Sequence, residues 1–152
     1  MRGWYAFDEG GDSGVGGWNH VVTAWRQGKA SVAMPHGWAV AEMLLLMRDA
    51  LAFESNDKLV LFGGVPADWF KHPAGMKIEN LPTHFGKCSV SWMPAPSGAT
   101  LRLSGTGTPP GGFVLRLPAE LSAKIAADGQ VVSGTNGDFL LPAKTKEAVL
   151  SW

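Results

Sequence analysis

The sequence predicts a mainly β protein, an antiparallel β-sandwich led by an N-terminal helical segment, and three observations carry that expectation. Twenty glycines and ten prolines cut the 152 residues into short pieces, which suits strands better than long helices. From residue 57 onward apolar and polar side chains alternate at period two, the pattern of strands buried on one face. Before that point, residues 38–53 form a nearly unbroken apolar run of helical length, rich in Ala, Leu and Met, which are good helix formers. The expected division is therefore residues 1–56, a loop and two helices, and residues 57–152, the sandwich.

Taken in order, residues 1–17 are glycine-rich with an acidic patch at Asp8, Glu9 and Asp12 and have no sustained period, so they read as a loop. Trp18, Val21, Val22 and Trp25 recur at i, i+3, i+4 and i+7, one face of a short helix that Gly28 closes. The helix expected over residues 38–53 is apolar nearly all round and so is expected to be buried on most sides. The Asn56-Asp57 turn leads into a compact strand over residues 58–62. A looser strand follows, carrying Met76, Ile78 and Leu81 and broken by Pro82.

Cys88, Val90 and Trp92 alternate with Lys87, Ser89 and Ser91, the clearest half-buried strand in the chain. Similar alternation marks Leu101 with Leu103, then Phe113 with Leu115 and Leu117, and lastly Ala148 with Leu150 and Trp152. Asp128-Gly129 and Asn136-Gly137 are tight-turn dipeptides that accept positive φ. Seven to nine short antiparallel strands in two facing sheets are expected.

Composition excludes several functions. Thirteen basic residues balance thirteen acidic ones, so there is no broad positive field for nucleic acid or for an anionic membrane surface. The run over residues 38–53 contains Glu42, Arg48 and Asp49 and is shorter than the roughly 20 residues that cross a bilayer. No membrane span is expected. The N-terminus has no apolar stretch of secretory type before Asp8, and the compartment is left open. The single cysteine, Cys88, excludes an internal disulfide and reads as a small core residue.

Candidate chemistry is sparse. His20, His36, His72 and His84 have no second His or Cys at ligand spacing, so no metal is expected, nor any other cofactor. There is no G-x-S-x-G elbow, and the glycine run over residues 10–17 lacks the Lys-Ser/Thr of a phosphate cradle. Glu42 and Asp49 share a helical face about 10 Å apart, at the outer limit for paired glycosidase carboxylates, and a structural role for both is preferred. Seven tryptophans against one tyrosine suggest flat surfaces for sugar rings. Trp92 and Trp152 fall on the apolar side of strands and are assigned to the core. Trp4, Trp18, Trp25, Trp38 and Trp69 are assigned to a surface that meets sugar or a missing domain.

One stretch is similar to a known family. Met34-Pro35-His36-Gly37-Trp38-Ala39-Val40-Ala41-Glu42, the apolar helix after it, and Leu59-Val60-Leu61-Phe62-Gly63-Gly64-Val65-Pro66-Ala67-Asp68-Trp69-Phe70 resemble the C-terminal region of bacterial six-hairpin glycosidases, rhamnosidase-type and related glycoside hydrolases. There an H-G-W-x-x-A-E segment opens a final helix of an (α/α)6 barrel and a β-sandwich follows. The resemblance implies that the two helices belong to a barrel otherwise missing here, and that His36, Trp38 and Glu42 contribute to substrate contact. It implies no catalytic role for them, because the family's catalytic acid comes from earlier helices.

The expected function is thus a C-terminal accessory sandwich of a carbohydrate-active enzyme, not catalytic alone, whose partner is the remainder of that enzyme. The alternatives are a free-standing carbohydrate-binding module, and a protein-interaction domain that self-associates through its N-terminal helices.

Overall fold

The computed structural model describes residues 37–152. The expectations placed on residues 1–36, including the helix over residues 18–27, Trp4, Trp18, Trp25, His20 and His36, lie outside the described residues. The chain divides into two compact units, residues 1–48 and residues 49–152.

Helix α1, Gly37–Leu51, is the described helix. It stops two residues before the end predicted from composition, and the reason is not local. The backbone N–H of Phe62 donates to the Leu51 carbonyl at 2.8 Å and that of Gly64 to the Ala50 carbonyl at 3.0 Å, so a later segment supplies partners for the orphan carbonyls of the last helical turn. Gly64 permits the approach, since a β-carbon there would lie 2.9 Å from the Ala50 α-carbon. Released from the helix, Ala52–Ser55 becomes strand β1, and the second unit begins at Asp49 instead of at residue 57.

The second unit is a β-sandwich. Its first sheet has β1, β2 (Lys58–Leu61), β6 (Phe113–Arg116), β10 (Asp138–Leu141) and β9 (Gly134–Thr135) in the order β1-β2-β6-β10-β9. Its second sheet has β3 (Met76–Thr83), β4 (Gly86–Ala95), β5 (Gly98–Gly105), β11 (Glu147–Ser151), β7 (Lys124–Ala127) and β8 (Gln130–Val132) in the order β3-β4-β5-β11-β7-β8. Three expectations are corrected. Eleven strands are described where seven to nine were expected, and β2 pairs with β6 in parallel, Val60 opposite Val114, so the pairing is not antiparallel throughout. Pro82 does not break β3, which runs on to Thr83. β3 is an edge strand, where a residue without an N–H is tolerated.

The core follows from the alternation. Cys88, Val90 and Trp92 on β4, Leu101 and Leu103 on β5, and Ala148 and Leu150 on β11 point inward from one sheet, and Leu59, Leu61, Phe113, Leu115 and Leu141 from the other. Phe62, Phe70 and Trp92 meet edge to face, with centroids 5.2 to 6.0 Å apart, in the geometry that aromatic quadrupoles favour. The Trp92 indole Nε1–H donates to the Phe70 carbonyl at 2.9 Å, which satisfies the one polar atom that this side chain brings into the core. Phe70 is supplied by a 3-10 turn, Ala67–Lys71. On the outer faces, Arg116 and Asp138 are cross-strand partners joined by two hydrogen bonds of 2.7 and 2.8 Å, and Arg102 pairs with Glu147 at 2.9 Å.

α1 differs from its predicted state. A buried helix was expected, yet Ala39 is its one buried residue, and Trp38, Leu44, Leu45 and Met47 each keep more than half of their surface exposed. The sequence offers the helix no polar face to turn outward, so apolar side chains occupy the surface whichever way it is rotated. No described helix is long and apolar enough to cross a membrane.

Candidate functional site

The sandwich unit carries an open cleft of about 900 Å³ lined by residues of both sheets. The five-stranded sheet contributes the Asn136-Gly137 turn and Phe139 of β10. The six-stranded sheet contributes Lys124 of β7 and Ser151 of β11, followed by Trp152. The connector from Pro118 to Ala123 forms the remaining wall and places Ser122 at the edge.

Each wall is set by local chemistry. In the β9–β10 hairpin, Asn136 and Gly137 have φ of 53° and 85°, the left-handed pair that a two-residue turn requires. The Gly137 carbonyl accepts from the Leu117 N–H at 2.9 Å, which ties the turn to the end of β6. Phe139 is the cross-strand partner of Gly134, and its ring lies so close over that residue that a β-carbon on Gly134 would stand 2.5 Å from it. Gly134 therefore provides the space that holds the ring in place. Phe139 also packs on the core cluster and is half-buried, so one part of the ring anchors while the other borders the cleft.

Trp152 is fixed from below. It continues the inward parity of Ala148 and Leu150, one position past the end of β11, and stacks on the buried Trp92 with centroids 6.4 Å apart and planes 24° apart. Its backbone N–H donates to the Ser97 carbonyl at 3.3 Å. The core assignment made from alternation is thus right for Trp92, which has no exposed surface, and incomplete for Trp152, which keeps 39% of its surface. Trp152 closes the core on one side and presents indole to solvent on the other. It also borders a second, smaller concavity of about 480 Å³, beside Lys71, Pro73 and Pro96.

The cleft's chemistry is aromatic and neutral-polar. Its lining brings together Phe139, Trp152, the Asn136 amide and Ser122, with no acidic side chain, while Ser151 and its cross-strand partner Lys124 border it from the outward-facing parity of their sheet. Cys88 lies elsewhere, in the core, and burial pushes its thiol pKa up, away from the thiolate that nucleophilic chemistry needs. Among the described residues no three His, Cys, Asp or Glu side chains come together in a metal-binding group.

None of the described residues proposed from sequence for substrate contact is among those that line this cleft. His36 is outside the described residues. Trp38 and Glu42 lie on α1, and both are exposed. Asp49 is exposed on the same helix. Trp69 is exposed on the 3-10 turn. Sequence reasoning missed Trp152 and Phe139. The signal available was that Phe139 follows a tight-turn dipeptide by two residues and that Trp152 carries the inward parity past the final strand. The chain matches no protein-family model, no curated protein and no solved structure.

Proposed function

We propose that this chain is a non-catalytic β-sandwich accessory module of a carbohydrate-active enzyme, held to the body of that enzyme through α1. The observation that carries the reading is the surface of α1, on which Trp38, Leu44, Leu45 and Met47 are exposed together. Several large apolar side chains left exposed around one helix mark a surface meant for covering. The resemblance of residues 34–70 to the end of six-hairpin glycosidases supports a helical barrel as the cover and sugar as the substrate class of the whole. On this reading Trp38 and Glu42, together with His36, contribute to substrate contact at the junction with the barrel, and the groups that break the glycosidic bond belong to the barrel.

Two measurements test the proposal. Assayed on aryl glycosides, the chain gives no turnover above buffer, and a rate well above buffer would overturn the reading, because it would require a complete acid and base pair within these residues. In sedimentation, the chain associates weakly and without fixed stoichiometry through α1. A tight, closed dimer would instead assign the helix to self-association.

A further inference from the structure

We infer that the cleft between Phe139 and Trp152 is a binding site for a neutral oligosaccharide, seated by stacking of a pyranose ring on the Trp152 indole. The inference deepens the accessory-module reading and rests on it for the choice of sugar over peptide. The geometry of the site is independent of that reading.

Four features favour the assignment. First, the cleft's volume of about 900 Å³ lies within the range of small-molecule sites, which runs from roughly 300 to 1,000 Å³. Second, the stacking surface is rigid before any ligand arrives. Trp152 rests on Trp92, and Trp92 is held by the Phe70 carbonyl, so binding orders little that is not already ordered. Third, the polar groups match hydroxyl chemistry. The Asn136 amide and the Ser122 hydroxyl each donate and accept, which suits the vicinal hydroxyls of a sugar that both give and take hydrogen bonds.

Fourth, the charges exclude competitors. An aromatic site for an organic cation gains from the ring quadrupole, but here no acidic side chain lines the cleft to complete such a site. One lysine in a chain of balanced charge is too little for a polyphosphate or a nucleic acid. The second concavity that Trp152 also lines gives a linear chain room to run past the indole, so an internal segment of a glycan fits as well as its end.

The test is isothermal titration calorimetry of the full chain with cellohexaose, xylohexaose and mannohexaose, and with decaproline as the peptide arm. Saturable binding of at least one hexasaccharide is expected, weakened about tenfold or more by Trp152→Ala, the usual effect of losing a central aromatic anchor. Should Trp152→Ala fail to fold, Asn136→Asp and Ser122→Ala decide. Both positions are exposed, and aspartate tolerates the left-handed backbone at residue 136.

Severalfold weaker binding in Asn136→Asp or Ser122→Ala supports the site, and unchanged binding in both overturns it. Val131→Ala, on β8 and outside the cleft lining, leaves the affinity as it was. No binding of any hexasaccharide at millimolar concentration overturns the inference, as does binding of decaproline alone. Absence of sugar binding together with absence of glycoside turnover removes the cleft and leaves the accessory module standing. Turnover with binding intact at Trp152 does the reverse.

Discussion

Along β4, Cys88, Val90 and Trp92 are sealed from water, whereas along α1 the equally apolar Leu44, Leu45 and Met47 lie mostly exposed. The two segments differ in period more than in composition. In β4 every second residue is Lys or Ser up to Met93, so one face can be buried while the other is solvated. In α1 the apolar residues surround the helix, and only a surface supplied on several sides could cover them. Apolar content fixes how much burial a segment needs. Its spacing decides whether the segment can achieve that burial within its own unit.

The contrast can be broken most forcefully at the sealed end. Trp92→Ala removes the hub of the Phe62, Phe70 and Trp152 ring contacts and is expected to destabilise the sandwich by about 3 to 5 kcal/mol, measured as a loss in urea midpoint at unchanged slope. A milder change of opposite sign is expected at Thr145, which is 4% exposed and whose hydroxyl has no hydrogen-bond partner. Thr145→Val keeps the shape and removes the orphan group, so it should stabilise by about 1 kcal/mol, seen as a rise in Tm. A lower Tm would show that the hydroxyl is satisfied in solution.

The Arg116–Asp138 pair sharpens the comparison at the surface. The hydrogen bonds from Arg116 hold the Asp138 carboxyl below its ordinary pKa. A depressed carboxylate contributes stability that is complete above the unfolded value of about 3.9 and is lost as pH falls through the folded value. Asp138→Asn should therefore cost a few tenths of a kcal/mol and at most about 1 kcal/mol at neutral pH, because both side chains are more than a third exposed and solvent screens the pair. It should also flatten the acid limb of the stability curve below about pH 4. The smallest effect belongs to α1. Leu44→Gln with Leu45→Gln should change the unfolding midpoint of the sandwich by under about 0.5 kcal/mol per site, while sedimentation shows reduced association. A large loss of stability would mean that these side chains are covered after all.

Much of the sandwich is legible in the sequence because period two is a local property. β4 and β5, with Leu101 and Leu103 inward, follow directly from it, and Asn56-Asp57, Asp128-Gly129 and Asn136-Gly137 mark the turns between strands. What is not legible depends on distant partners. The end of α1 at Leu51 is set by N–H groups from Phe62 and Gly64, so no local stop signal announces it, and Phe53, which continues the apolar run, belongs to β1. The parallel pairing of Val60 with Val114 leaves no trace in either segment. The cleft is hidden for a related reason. Parity correctly places Trp152 on the inner face, but its remaining exposure depends on the opposite sheet, which presents the Asn136-Gly137 turn there and leaves the mouth open.

The position of β11 in its sheet has a further consequence. It lies between β5 and β7, and so joins a β3–β4–β5 meander, whose neighbours are adjacent in sequence, to the β7–β8 hairpin. Both pieces can form from local contacts as soon as they leave the ribosome, but the six-stranded sheet stays in two halves until residues 147–151 follow. A chain severed in the loop before Glu147 would accordingly present a strand-shaped vacancy edged by Arg102 and Ala127, ready to take up a synthetic peptide of those residues in trans. The same vacancy makes this strand the natural seam for splitting the protein into a two-part reporter.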